Sequence, residues 1–173
     1  MRCLSMLVLG VLALPVWAQD PKIEWVKTKS DKGQAEVNFP GKPVDNSKPN
    51  APQFVLEAEG GKVAFLMMSN VLPAKIDVND KDVIKKMFDG GKDGLMKNFK
   101  NSKVVSERNV MFAGKYPSKE VDLEIPELGI YRTKWVATPT VFVQLVVLGP
   151  KDYIEGSTAS IFFESLKILG TEK

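Results

Sequence analysis

Apolar and polar residues alternate along most of the chain, and this period of two is typical of β-strands with one buried face. The pair Gly60-Gly61 separates two such segments, and glycine tolerates the positive φ angles of a tight hairpin turn. Pairing Glu59 with Lys62 then sets the apolar residues of both strands on the same face. The pattern predicts strands over residues 24–29, 35–39, 53–59, 62–71, 103–112, 119–125, 130–137 and 141–148.

The pairing of the later strands follows from their charges. Apolar residues alternate with acidic ones in strand 119–125 and with basic ones in strand 130–137. A three-residue loop over 127–129, with Gly129 in the left-handed conformation, joins the two apolar faces; it predicts Glu124 opposite Arg132 and Asp122 opposite Lys134. Strand 141–148 is apolar on both faces, which favours a central position in the sheet.

Two segments have the period of a helix. Asn79 or Asp80 is predicted to cap a helix whose apolar residues recur every three or four positions as far as Phe99. Glycines at 90, 91 and 94 weaken it by about 1 kcal/mol each relative to alanine, so we predict a kink or a break there. A last helix is predicted from residue 151 or 152 to residue 165, then a short edge strand over 166–169, while segment 41–52 reads as a surface loop. The residues that we expect this last helix to bury are Ile154, Ile161 and Phe162.

The first 18 residues have the order of a secretory signal peptide. Arg2 precedes an apolar run of 13 residues from Leu4 to Val16, and Ala18 precedes a polar stretch. This run is shorter than the roughly 20 residues of a membrane-spanning helix, and no stop-transfer segment follows it. We expect cleavage after Ala18, a single globular domain over 19–173 without a transmembrane segment, and a periplasmic or secreted location. An uncleaved N-terminal anchor is the alternative, because the bulky Trp17 adjoins the cleavage point.

Composition excludes much of the usual catalytic chemistry. The 173 residues include 24 Lys and Arg, 21 Asp and Glu, one cysteine and no histidine. Catalytic triads with histidine, histidine-based zinc sites and Cys/His metal cages each lack a required residue. Cys3 would leave with the signal, so the mature domain has no disulfide and depends on a packed core. Charges of both signs interleave to a net charge of +3, without the basic stripe of a nucleic-acid-binding protein.

Two local patterns resemble functional motifs but fit structural roles better. Segment 77–82 is acidic like a calcium loop, yet Lys81 and Asp82 stand where an oxygen ligand and the turn glycine are needed, and a capped helix start explains it. Glycine-rich segment 90–94 lacks the preceding strand and the Lys-Ser/Thr pair of a phosphate loop. The sequence has no Gly-x-Ser-x-Gly segment of the kind that holds a nucleophilic serine, and Ser157, Thr158 and Ser160 fit the first turn of the last helix.

Two further groups of side chains are candidates for chemistry or binding. Carboxylates can act in pairs without histidine, as in glycoside hydrolysis. In strand 119–125, however, they face a basic strand, which favours a solvent-exposed ladder of ion pairs. These carboxylates are Glu120, Asp122 and Glu124. The second group either lines a hydrophobic ligand groove or belongs to the core, and the general tendency of such residues to be buried favours the core. Its members are Met67, Met68, Tyr131, Trp135 and Phe142. We assign no catalytic, cofactor-binding or metal-binding residue.

Three short segments carry a family resemblance. They are VNFPGKP at 37–43, VFVQLVV at 141–147 after a basic-aromatic strand, and FFESLK at 162–167. Together they resemble the PsbP-like superfamily, with the character of its bacterial envelope members, including the DcrB-like proteins. The resemblance spans about residues 23–169 and implies an α+β fold, namely an α/β/α sandwich with a central, mainly antiparallel sheet and helices packed on its faces.

The same resemblance bears on function. It implies an accessory or binding protein, because the superfamily members are mostly non-enzymatic, such as the extrinsic subunit of the oxygen-evolving complex and chaperones of membrane-active effectors. The chain departs from the lipoprotein members, since no cysteine follows the signal. No binding residue is carried over, because the matching positions are packing and turn positions.

These observations predict an exported, non-enzymatic accessory or binding protein of the cell envelope. We expect its sheet face or a helix groove to bind an unknown protein or apolar ligand, with no cofactor, no metal and no nucleic acid. A carrier of an apolar ligand or lipid and a carboxylate-based hydrolase are the alternatives. A deep polar pocket holding two carboxylates of raised pKa would favour the hydrolase, and a large empty apolar cavity would favour the carrier.

Overall fold

The structure is a computed structural model that describes residues 23–170. The predicted signal peptide and its cleavage site lie outside the described residues and stay predictions. Within the described range, no helix combines the length and the apolar character needed to cross a bilayer. The strands are β1 (Val26–Ser30), β2 (Ala35–Phe39), β3 (Val44–Asp45), β4 (Gln53–Ala58), β5 (Val63–Val71), β6 (Lys103–Phe112), β7 (Tyr116–Ile125), β8 (Gly129–Ala137), β9 (Val141–Gly149) and β10 (Lys167–Ile168), and the helices are α1 (Lys81–Asn98), α2 (Lys151–Ile154) and α3 (Ser157–Glu164).

Antiparallel sheet dominates this α+β fold. Seven strands form one sheet in the order β3-β4-β5-β9-β8-β7-β6, and β1, β2 and β10 form a small second sheet in the order β1-β2-β10. Strand β9 lies between β5 and β8, which confirms its predicted central position. The predicted loop over 41–52 also contains β3, which pairs with β4 and was not foreseen. The predicted edge strand near the end of the chain is β10.

The central strand β9 contributes to a core on each of its faces. Val143, Leu145 and Val147 belong to the first core, which also includes residues of β2, β5, α2 and α3. Phe142 and Leu148, which lie on the other face of β9, pack against the second core, and this core includes residues of α1, β7 and β8. Helix α1 therefore packs on the second core, while the small sheet and the two short helices contribute to the first.

The hairpin of β4 and β5 has the predicted register. Phe54 pairs with Met67, and Leu56 pairs with Phe65. Both turn glycines have positive φ angles, 65° at Gly60 and 85° at Gly61. The backbone N–H of Lys62 donates to the carbonyl oxygen of Glu59 at 3.4 Å, so the two glycines form the centre of a tight turn, as predicted.

The predicted register between β7 and β8 is wrong by two residues. Asp122 pairs with Arg132, and Leu123 pairs with Tyr131, so the apolar faces still coincide. The loop spans 126–128, and Gly129, with a φ of 97°, already pairs with Ile125. A Cβ at this glycine would lie 2.3 Å from the carbonyl oxygen of a β9 residue, so the close approach of β9 fixes where β8 begins.

The predicted kink or break in the first long helix is wrong, because α1 is continuous over 18 residues. Its N-cap is Asp80, whose Oδ1 accepts hydrogen bonds from the backbone N–H groups of Asp82 and Val83. Three glycines lower helix propensity, but the helix buries an apolar face against the sheet, and tertiary packing supplies most helical stability. The buried residues of that face are Ile84, Phe88 and Leu95.

The predicted last helix is instead two helices. Gly156 has an extended backbone between α2 and α3, with φ −77° and ψ 170°, and this residue resets the helical phase. Ile154 and Phe162 are buried as predicted, but Ile161 is 42% exposed and Phe163 is buried in its place. A continuous helix would have kept the predicted face, so the correction follows from the break.

Candidate functional site

A groove of about 850 Å³ opens between the first half of α1 and the β6–β7 hairpin. We call it the α1 groove. Ile84 and Phe88 lie one helical turn apart on the side of α1 that faces the sheet, and both are largely buried. Met111, at the end of β6, is 57% exposed. The residues that line the groove are Val78, Asn79, Lys81, Ile84, Lys85, Phe88, Asp89, Glu107, Asn109, Val110, Met111, Lys115, Pro117, Ser118 and Lys119.

The inner wall of the α1 groove is held rigidly from beneath. The ring of Phe88 is stacked on Trp135, with the ring centroids 6.3 Å apart and the planes 16° apart. Phe142 packs against both rings. Because Trp135 is only 1% exposed, this wall cannot move without disturbing the core.

A buried lysine lies at the centre of the groove wall. Lys119 is 6% exposed, and its Nζ donates to Glu107 Oε1 at 2.6 Å. The same Nζ lies 3.8 Å from Asp89 Oδ1 and 6.0 Å from the centroid of the Phe88 ring. Lys92 donates to the other oxygen of Glu107 at 3.0 Å. The lysine therefore has the paired and hydrogen-bonded surroundings that a buried charge requires.

The carboxylates of the groove are held in the ionised state. Hydrogen bonds from Lys119 and then Lys92 lower the pKa of Glu107 below its usual value. The pKa of Asp89 is lowered chiefly by the hydrogen bond from Lys85. A carboxylate whose pKa is depressed in this way does not hold a proton near neutral pH, so neither group is suited to act as a general acid.

The groove carries an excess of positive charge. Its lining includes four lysines and two carboxylates. Lys81 and Lys115 are exposed and have no ion pair among residues 23–170. The lysine at 115 instead lies with its Nζ 5.2 Å from the ring centroid of Tyr116. An anionic group entering the α1 groove would therefore meet unneutralised cations.

The predicted ion-pair ladder exists on the opposite face of the sheet, and it is half-buried instead of solvent-exposed. Arg132 binds Asp122 through two hydrogen bonds of 2.9 Å and also donates to the carbonyl oxygen of Ile154 in α2. Lys134 and Arg108 bind Glu120 at 2.9 and 2.6 Å. Burial raises the pKa of that glutamate, but the bonds from these two cations outweigh it, and the net shift is downward. The third predicted member, Glu124, is exposed and pairs along the backbone with Lys103 and Ile130.

The other polar candidates have structural roles. Asp77 accepts a hydrogen bond from the backbone N–H of Asn79, directly before the capped start of α1. The glycines of segment 90–94 lie inside α1, and Ser157, Thr158 and Ser160 lie in the first turn of α3. The structure does not bring these groups together into one site.

The five residues that could have lined a hydrophobic groove belong to the two cores or pack against them. Met67 lies in the first core and Trp135 in the second, on opposite faces of the large sheet. Tyr131 and Phe142 are partly buried against the second core, and burial raises the pKa of the tyrosine hydroxyl. Met68 is half-buried. They do not share a groove, although Trp135 supports the α1 groove from below.

Sequence reasoning missed the central lysine of the groove. A signal existed, because Lys119 is in phase with the buried residues Val121 and Leu123 along β7. A lysine on the core-facing side of a strand requires a carboxylate partner. That partner, Glu107, comes from β6, and only the pairing of the two strands identifies it.

Comparison with solved structures identifies the fold of the chain. No family model and no curated protein matches the chain. The solution structure of cyanobacterial PsbP (CyanoP) from Synechocystis sp. PCC 6803 superposes with a TM-score of 0.61 at 9% identity, covering 92% of this chain and 99% of that one. The crystal structure of a protein of unknown function from Pseudomonas aeruginosa superposes with a TM-score of 0.50 at 13% identity, covering 86% and 99%. The chain therefore has a PsbP-like fold.

Proposed function

We propose that this protein is an exported, non-enzymatic accessory protein of the cell envelope that binds a partner protein in the α1 groove. The observation that carries the proposal is the groove itself, about 850 Å³ in volume, with a rigid aromatic wall and an exposed methionine at its mouth. An exposed apolar side chain beside a fixed apolar wall is typical of a binding surface. The fold supports the proposal, because one structural neighbour is CyanoP, a cyanobacterial PsbP protein.

The charges of the groove and of the ladder support a non-enzymatic role. A glycoside hydrolase that works with a pair of carboxyl groups needs one of them to keep its proton near neutral pH. The pKa values of Glu107 and Glu120 are both lowered by bound cations. Neither glutamate is thus prepared to donate a proton to a leaving group.

A carrier of an apolar ligand is the second candidate. The volume of the α1 groove falls within the range of about 300–1,000 Å³ that small-molecule sites occupy. A carrier, however, encloses its ligand, whereas Lys81 and Lys115 border this groove and are both exposed. The lysines favour a partner that carries charge of its own.

We also infer that the layers make up an α/β/α sandwich, as the resemblance to PsbP-like proteins implies. Helix α1 against the second core, and α2 and α3 against the first, support this arrangement. Export rests on the order of the first 18 residues. If the protein is exported as we propose, mass spectrometry of the protein from its own cells should find Gln19 as the first residue.

Photo-crosslinking tests the partner proposal. A photoreactive amino acid replaces Met111 at the mouth of the groove, and in a matched variant it replaces Leu128, which is 50% exposed at the opposite end of β7. We expect a specific protein to be crosslinked from the first position only, in intact cells, and its crosslinking to weaken when Lys81→Glu, at an exposed lysine of the groove, is added. Recovery of a lipid alone would favour the carrier, and equal labelling from both positions would contradict binding in the groove.

A further inference from the structure

Strand β6 forms one edge of the large sheet, directly beside the α1 groove. Its only strand partner within residues 23–170 is β7. In an antiparallel edge strand, alternate residues direct their N–H and C=O groups away from the sheet, where another strand can pair with them. The opposite edge strand of this sheet is β3, which has only two residues, whereas β6 has ten.

Natural edge strands are usually protected by a bulge, by inward charges or by short length. The irregularity in β6 lies between Val104 and Ser106, and the following residues up to Phe112 pair with β7 without a further shift. The charges in this stretch are already bound to the protein's own groups. Arg108 binds Glu120, and Glu107 binds two lysines. The seven residues Ser106–Phe112 thus form a regular strand that is exposed or half-buried, and the outward main-chain groups of alternate residues are available for pairing.

The charges around this edge favour an acidic partner. Lys103 and Lys115 are exposed near the two ends of β6, and the α1 groove has more lysines than carboxylates. A second copy of the chain fits less well. The register that would pair all of Ser106–Phe112 with its copy centres on Asn109, and it would bring Lys103 of each chain close to Lys115 of the other.

We propose that the β6 edge binds an extended, acidic segment of a partner polypeptide as an added β-strand. Main-chain hydrogen bonds to Ser106–Phe112 supply the affinity, and alternate apolar side chains of the segment enter the α1 groove beside Met111. This inference rests on the proposed function, because it names the mode by which the partner occupies the same site.

The test selects peptides from a phage-displayed library of random, linear 12-residue sequences on the purified protein. We expect the enriched peptides to alternate apolar and polar residues and to contain more Asp and Glu than Lys and Arg. With the most enriched peptide added, hydrogen exchange measured by NMR should slow at alternate amides within Ser106–Phe112. The double variant Lys103→Glu/Lys115→Glu should weaken its binding about fivefold. The control Lys42→Glu/Lys48→Glu makes the same charge change near β3 and should leave binding unchanged.

Several results would overturn the inference. Strand addition of an acidic segment would be excluded by any of three results. These are protection from exchange confined to α1, enrichment of peptides that are basic or have the apolar period of an amphipathic helix, and no enrichment at all. Protection of β6 without peptide, together with a dimer in sedimentation, would assign the edge to a second copy. A protein crosslinked at Met111 without protection of β6 would leave the proposed function standing and remove only this binding mode.

Discussion

The three glycines of α1 differ in what surrounds them, and alanine substitution at each one separates helix propensity from packing. A Cβ at Gly90 or at Gly94 would have no atom within 4 Å, apart from the helix's own backbone and the adjacent residues. A Cβ at Gly91 would lie 3.3 Å from Cζ2 of Trp135 and 3.4 Å from its Cη2. The three variants change the same residue type in the same helix, so each serves as a control for the others.

The magnitudes follow from these distances. Alanine is more favourable than glycine inside a helix by about 1 kcal/mol, so Gly90→Ala and Gly94→Ala should each raise the free energy of unfolding by about that amount. At Gly91 the same gain is offset, because the ring of Trp135 is 1% exposed and stacked on Phe88 and cannot retreat. Overpacking a core costs about 1–3 kcal/mol. We expect Gly91→Ala to range from neutral to about 2 kcal/mol less stable.

Urea unfolding followed by tryptophan fluorescence measures all three variants, with the m-value as a check that the transition stays two-state. Each 1 kcal/mol should also appear as a shift of about 2–4 °C in Tm for a domain of this size. If Gly91→Ala gained as much stability as the other two variants, the ring of Trp135 would have room to move. The rigid wall that we assign to the α1 groove would then be refuted.

Three further predictions follow from the cores and the ion pairs. Phe162→Ala should cost about 3–5 kcal/mol in denaturant unfolding, because the side chain is 0% exposed, whereas Ile161→Ala, at a side chain that is 42% exposed, should cost under about 1 kcal/mol. The two lysines lower the pKa of Glu107 in the folded state, so its contribution to stability is present above about pH 4.5 and is lost as the pH falls through the folded pKa. In Glu107→Gln the free energy of unfolding should therefore fall less steeply as the pH is lowered. An unchanged dependence on pH would contradict this. Arg132→Lys should cost about 1 kcal/mol in the same assay, because lysine cannot keep both bonds to Asp122, and a neutral result would show that the second bond contributes nothing.

The hairpin of β4 and β5 shows how far a sequence pattern reaches. Its register depends on two glycines and on the alternation of residues next to them, and all of that information is local. The pairs of Phe54 with Met67 and Leu56 with Phe65 are therefore as predicted. The N-cap at Asp80 is similarly local, since the side chain binds N–H groups two and three residues ahead.

The register of β7 and β8 shows where such reasoning fails. Alternation requires an even register but does not choose between the pairing of Asp122 with Arg132 and its pairing with Lys134. The choice is made by a third strand, because the backbone of Gly129 lies against β9. The continuous α1 has the same kind of origin, since its packing on the sheet overrides the low helix propensity of its three glycines.

The amino-acid sequence by itself determined the strand and helix periods, the central place of β9 and the lack of histidine chemistry, because each depends on residue type and on near neighbours. Only the tertiary structure decided that Lys119 is buried against Glu107, that Met111 is exposed at the mouth of a groove, and that β6 is an edge. These features depend on which strands become neighbours, and that arrangement minimises exposed apolar surface over the whole chain instead of within any one segment.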